Sequence, residues 1–237
     1  MERQGFAHYT AANAILDVAA YAGRHGFHRI GVPYARTDNA RNDISRVFLD
    51  LSEEDDDTLV MLDGDHIYHH AAVGRLASHK VGVVGALACR RSEPHNPLFF
   101  VRNDGILQSI AKWEKGTLYE CDVVSTSAIA IKRWVFLKIY EQQAGEPYDR
   151  FIERCPQREQ GRTVAYPFFQ YRYPARTNYR MTEDVYFANC CHEAGIKHHC
   201  DTGVLIPHLT YRFITTEDWE EYIEAHPEIL QEINREV

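Results

Sequence analysis

Thr58-Leu59-Val60-Met61-Leu62 is a short apolar run that passes without a spacer into Asp63-Gly64-Asp65-His66. A run of this length suits a strand covered on both faces, the situation in a parallel sheet flanked by helices. Ligands of such sheets sit beyond the carboxyl ends of the strands. The two carboxylates therefore mark a candidate site as well as a fold class.

The segments around this run carry alternating helix and strand signals. Residues 10–24 predict a helix rich in Ala11, Ala12, Ala14, Ile15, Leu16, Val18 and Ala19, stopped by Gly23 and Gly26. Phe27 to Val32 reads as a short strand ended by Pro33. Residues 40–51 have helical spacing, with Ile44, Val47, Phe48 and Leu51 on one face. The charge run from Glu53 to Asp57 reads as a solvated loop. A helix over 69–78 and a buried strand over Val81 to Leu87 follow. This order predicts an α/β fold with a mostly parallel, Rossmann-like sheet and helices on both faces.

The second half is less regular. Asp122 to Ile131 reads as a strand running into a helix from Lys132 to Tyr140. Residues 141–180 are rich in Pro, Arg and aromatics and read as a functional loop on the acceptor side. Thr182 has the character of an N-cap, with Glu183 and Asp184 in the first helical turn and an end near Gly195. Ile196 to His208 resembles two short strands around a turn. The tail from 215 to 237 reads as one or two amphipathic helices separated at Pro227. No repeat or interdomain linker is visible, so residues 1–237 read as one domain.

Composition narrows the class. The formal net charge of −8 is wrong for a protein that binds nucleic acid by electrostatics alone. No apolar run approaches the ~20 residues of a bilayer span. The segment Met1-Glu2-Arg3-Gln4-Gly5 does not lead into a signal-peptide core, and a cytoplasmic protein is expected. None of the six cysteines forms a C-x-x-C pair, so reduced thiols are the expectation.

Two carboxylates around a glycine, projected from a strand end, offer hard oxygen ligands suited to Mn²⁺ or Mg²⁺. Such an ion neutralises charge on a departing diphosphate. Asp184, at a helix N-terminus, is a candidate general base, because the helix dipole keeps a carboxylate ionised there. Helix capping is the plainer reading of the same residues. His208 follows the apolar run Val204-Leu205-Ile206 and would complete a mixed metal shell. The Cys190-Cys191-His192 and His198-His199-Cys200 groups lack the spacing of a zinc finger and read as buried thiols and surface histidines. His66, His69 and His70 require no special role. Between Arg150 and Arg180, seven arginines (150, 154, 158, 162, 172, 176 and 180) are interleaved with aromatics. This stretch reads either as an irregular loop packed on the sheet or as a lid for an anionic acceptor.

Four segments in order resemble the family-2-like glycosyltransferases of the GT-A fold. They are Ala40-Arg41-Asn42-Asp43-Ile44, Val60 to Asp65, Cys121 to Arg133, and Thr182 to His208, so the resemblance spans about residues 27–210. It implies a metal-dependent transfer of a sugar from a nucleoside diphosphate, UDP in preference to GDP, to an acceptor hydroxyl. Asp65 would be the principal metal ligand, Asp63 a ribose or metal contact, and His208 a further ligand. Arg41, Asn42 and Gly64 would lie near the nucleotide, while Asp184 would act as the base of an inverting displacement beside Glu183. The acceptor would be a glycan, a lipid-linked sugar or a nucleic acid. The family opens with a strand that helps to hold the base. Gly5 to Tyr9 is too short and polar to supply it, so that strand reads as degenerate or missing. Two other functions compete. A sugar-nucleotide nucleotidyltransferase would need a glycine-rich basic loop, which is absent. A catalytically silent module would keep the fold without the chemistry.

Overall fold

The computed structural model describes residues 14–30, 36–155, 165–172, 181–209 and 213–229. Residues 14–24 form helix α1. Then come α2 (Thr37–Leu51), β1 (Thr58–Leu62), α3 (Ala72–Ser78), β2 (Val83–Leu87), β3 (Phe99–Asn103), β4 (Ile106–Ser109), β5 (Leu118–Cys121), β6 (Val123–Val124) and β7 (Ala128–Lys132). Helices α4 (Arg133–Ala144), α5 (Tyr148–Glu153) and α6 (Glu183–Glu193) follow, then β8 (His198–Leu205), β9 (His208–Leu209), β10 (Phe213–Ile214) and α7 (Thr216–Ala225).

The main sheet has the order β1-β7-β2-β8-β5. Only β2 and β8 pair in parallel; β1 with β7, β7 with β2, and β5 with β8 are antiparallel. The fold is mixed α/β, and the expected mostly parallel pairing is corrected. Strands β1, β2 and β8 do run the same way, but β7 is inserted between β1 and β2 in the opposite sense. Burial on both faces gives β7 the same continuous apolar pattern that a parallel strand would have.

Side-chain alternation across the sheet builds two cores. Leu59, Met61, Val83, Leu87, Ile129 and Ile131 face the larger one, with Phe48, Phe136, Ile139 and Phe187 from α2, α4 and α6. Val84, Ala86, Ala128 and Ala130 face the other, with Val18, Val73 and Leu76 from α1 and α3. Helices thus cover both faces, as expected. The alanines on the second face bring α3 close to the sheet, while the Ile and Phe side chains on the first leave room for three helices.

Several element boundaries differ from expectation. Residues 27–30 form no strand, and residues 31–33 of that expected strand lie outside the described residues, as does the Gly5 to Tyr9 segment. Helix α2 buries Asp38, Arg41, Asn42, Ser45, Phe48 and Leu49, so it is rotated relative to the expected face, and Leu51 is exposed. A polar stripe near the sheet end, not the apolar pattern alone, sets that rotation. The expected single strand over 122–131 is split into β6 and β7 by the buried turn Ser125-Thr126-Ser127. Most of the described part of 141–180 is structured: α5 lies there, and Phe168 and Phe169 are buried in the larger core. Conversely, 198–205 is one strand, interrupted in register: Ala86 faces Asp201 but Leu87 faces Leu205. Asp201 anchors that irregularity by accepting from Arg75 Nε and Nη2 at 2.6 and 2.7 Å and from the Gly203 N–H.

Gly85 sits in the middle of β2, opposite Ile129 and Cys200. A Cβ there would lie 2.6 Å from Val124 Cγ2 and 3.1 Å from the Ser125 carbonyl oxygen. We expect Gly85→Ala to lose about 1–3 kcal/mol of stability by overpacking, measured by urea denaturation. Gly64→Ala, whose Cβ meets nothing within 4 Å, serves as the neutral control.

Candidate active site

The site begins where β1 ends. The Asp63 N–H donates to the Ser127 carbonyl at 2.8 Å, carrying the β1–β7 ladder one residue past the strand. The buried Tyr68 hydroxyl lies 2.6 Å from the Asp63 carbonyl oxygen and 2.9 Å from that of Ser127, and pins the turn. The chain then pairs with the segment after β8. The Ile67 N–H donates to the Pro207 carbonyl at 3.1 Å and the Leu209 N–H to the Asp65 carbonyl at 2.8 Å. This makes an antiparallel bridge between His66 and His208, whose rings stack at 4.0 Å. Backbone pairing, not side-chain affinity, therefore brings His208 to Asp65.

Asp65, His66 and His208 each offer a ligand atom, and these atoms lie within 4.8 Å of one another. His66 Nδ1 is 3.0 Å from Asp65 Oδ1, so it carries the proton, and Nε2 keeps a lone pair. That Nε2 is buried without a hydrogen-bond partner among the described residues, and the residue is 1% exposed. His208 Nδ1 faces the Cys89 carbonyl at 3.2 Å, while its Nε2 accepts from Arg91 Nε. Both imidazoles are thus held as neutral tautomers, the form that binds metals. Burial pushes the His66 pKa down, which keeps it neutral. Side-chain hydrogen bonds to its oxygens, with the Arg91 guanidinium beside them, hold the Asp65 carboxyl well below the usual carboxylate range. One carboxylate and two imidazoles suit a divalent transition-metal ion better than Mg²⁺, which keeps to oxygen ligands.

Asp63 is engaged elsewhere. Arg41 Nη2 donates to both its oxygens at 2.8 and 3.1 Å, and Arg41 Nη1 donates to Glu183 Oε1. Arg41 is 5% exposed and Glu183 7%. Burial raises the Asp63 pKa, with Arg41 pulling against it. The structure therefore puts Asp65 and His208 together, adds His66, and places Asp63 in a separate buried ion network. Asn42 is a strap: its amide donates to the Phe169 carbonyl at 2.8 Å and its oxygen accepts the Phe169 N–H at 2.9 Å. Gly64 has neither a positive φ nor a crowded Cβ position, so the turn itself does not require glycine.

Thr182 is the N-cap of α6, as expected, but its hydroxyl accepts no backbone N–H of the helix and instead donates to Asp184 Oδ1. The same oxygen accepts the Val185 N–H at 2.9 Å. Asp184 Oδ2 makes no hydrogen bond among the described residues. The ion network joins this helix to β1, because Glu183 is its first residue. Along α6 lies a cleft of about 920 Å³ whose lining includes Tyr171, Arg172, Met181, Tyr186, Asn189 and Glu193, and no residue of the strand-end site. There the Arg172 guanidinium stacks over the Tyr186 ring at 4.4 Å. Arg150 and Arg154 are exposed and paired with Glu153 and Glu146. Arg158, Arg162, Arg176 and Arg180 lie outside the described residues. Of the six cysteines, all are free and five are buried, and none joins the metal-capable group found among the described residues. His198 is buried too, against the expectation of a surface residue.

Two site residues escape the sequence reading. His66 was available from its adjacency to Asp65. Arg91 had a weaker signal: it follows β2, which ends on the same sheet edge as β1.

Removing Arg41 strands the Glu183 charge. Breaking a buried pair from one side costs about 3–5 kcal/mol, so Arg41→Met is expected to be strongly destabilised in thermal and urea melts. Adding Glu183→Gln to it should restore part of the loss. A double variant no more stable than Arg41→Met would show that the network does not hold α6 to β1.

No protein-family model matches this chain, and no curated protein does. Among solved structures it is similar to the crystal structure of A197 from STIV, at 16% sequence identity over 86% of this chain and 84% of that chain, with a TM-score of 0.47.

Proposed function

We propose that this chain is a metal-dependent glycosyltransferase of GT-A type, moving a sugar from a nucleoside diphosphate, UDP in preference to GDP, to an acceptor hydroxyl with inversion. One observation carries the reading. A carboxylate and two neutral imidazoles converge beyond the carboxyl end of β1, and a buried arginine ties the adjacent Asp63 to the helix that bears Asp184.

A divalent cation would be held by Asp65, His66 and His208, and would supply charge neutralisation for the departing diphosphate. Gly64, with open space where a side chain would stand, lets the donor approach the backbone. Asp63, oriented by Arg41, faces the donor ribose as a hydrogen-bond acceptor. Asp184 receives the proton of the acceptor hydroxyl. Two donors already occupy Oδ1, which leaves Oδ2 as the basic oxygen. The acceptor oxygen forms its bond to the anomeric carbon as the bond to the diphosphate oxygen breaks on the opposite face. Arg172, stacked beside the cleft along α6, is the described member of the arginine-rich segment best placed to favour an anionic acceptor. No helix among the described residues is long and apolar enough to cross a membrane.

Calorimetric titration with UDP and GDP, with and without Mn²⁺, tests the donor site. We expect Mn²⁺-dependent binding of UDP, weakened at least ~100-fold in Asp65→Ala through loss of a direct ligand. Failure of both nucleotides to bind under any metal would leave a silent module as the reading. Once turnover is found, Asp184→Asn should lower it by about 10²–10⁴-fold while UDP affinity is kept. Arg172→Glu should weaken use of the acceptor and leave UDP binding unchanged; unaltered turnover would remove Arg172 from the acceptor side.

A further inference from the structure

We propose that Arg91 is a built-in counter-cation that occupies the metal seat, so that a divalent ion enters this site only by displacing it. The proposal rests on the metal reading above and concerns what competes for the same ligands.

The guanidinium of Arg91 touches two atoms, Asp65 Oδ2 through Nη2 and His208 Nε2 through Nε. These are the lone pairs that a cation between Asp65 and His208 would take. A guanidinium has only donors, and a bound ion has only acceptors around it; one seat cannot serve both. Two positive charges on one carboxylate oxygen also repel. His66, the third member of the group, gives nothing to Arg91: its Nδ1 faces Asp65 Oδ1 and its Nε2 is buried with no partner among the described residues, so the fork satisfies only part of the donor set. Arg91 itself is free to leave. Its side chain is 54% exposed and lies on the loop after β2, so its departure opens no cavity in either core. While in place it holds Asp65 beside His208 without a metal and offsets the repulsion between Asp65 and Asp63. The site is thereby preassembled, and its affinity for a bare ion is set lower than the ligands alone would give.

The test is a titration of the full chain with MnCl₂, reading free Mn²⁺ by electron paramagnetic resonance, on the wild type and on Arg91→Gln, Arg91→Lys and Asp65→Ala. Thermal melts of each check the fold, which an exposed side chain should leave intact. Arg91→Gln is expected to bind Mn²⁺ roughly tenfold more tightly, the factor that one displaced charge-assisted contact amounts to. Arg91→Lys, which keeps the charge but loses the fork, should fall between the two. If the wild type binds Mn²⁺ through Asp65 but Arg91→Gln binds it equally or more weakly, the proposal is overturned while the metal reading stands. If no folded variant binds Mn²⁺, both fall together.

Discussion

An arginine cannot shed its proton, so burying one obliges the fold to surround it with acceptors. Arg41, in the first half of α2, meets that demand with Asp63 at the end of β1, Glu183 at the start of α6 and the Thr126 carbonyl of the turn before β7. Four elements distant in sequence are thereby fixed around one guanidinium. The rest of the site follows from this. With Glu183 held, Asp184 must present itself at the head of α6. With Asp63 held, Asp65 is carried two residues further along the turn, where the bridge to His208 catches it.

What was legible in the sequence was mostly local. The apolar run before Asp63 marked β1, and Thr182 with its two acidic neighbours marked the start of α6, because strand burial and helix polarity act over a few residues. The mixed sheet was not legible. An Ala/Ile alternation in 128–132 says that both faces are covered, yet it says nothing about direction, which is decided by the short turn 125–127 that sends β7 back beside β1. The rotation of α2 was misread for a related reason. Apolar spacing weighs Ile44 and Leu51 equally with Phe48, whereas the buried stripe is set by Arg41 and Asn42 finding partners on other elements.

The candidate site shows the same division. Asp65 and His208 could be named because each follows an apolar run that positions it. His66 was passed over as an ordinary residue at a helix start; its value comes from an antiparallel bridge with a segment 142 residues later, formed by Ile67, Leu209 and their carbonyl partners. Asn42 lies beside Arg41 in the chain but faces a different element, because successive residues on a helix diverge by about 100°. Its amide reproduces a backbone pair with Phe169, which is a structural use that no motif could reveal.

The division of labour between the two aspartates has a physical basis. Two carboxylates this close in sequence repel, and each raises the other's pKa unless a cation stands between them. Here each has its own: the buried Arg41 for Asp63, and Arg91, half in water and replaceable, for Asp65. Asp63 shares its arginine with Glu183, which fixes its orientation, while Asp65 stays ionised beside two imidazoles. Tying Asp63 to Arg41 therefore leaves Asp65, with the two imidazoles, as the donor set at the strand end that an ion from outside the chain would meet.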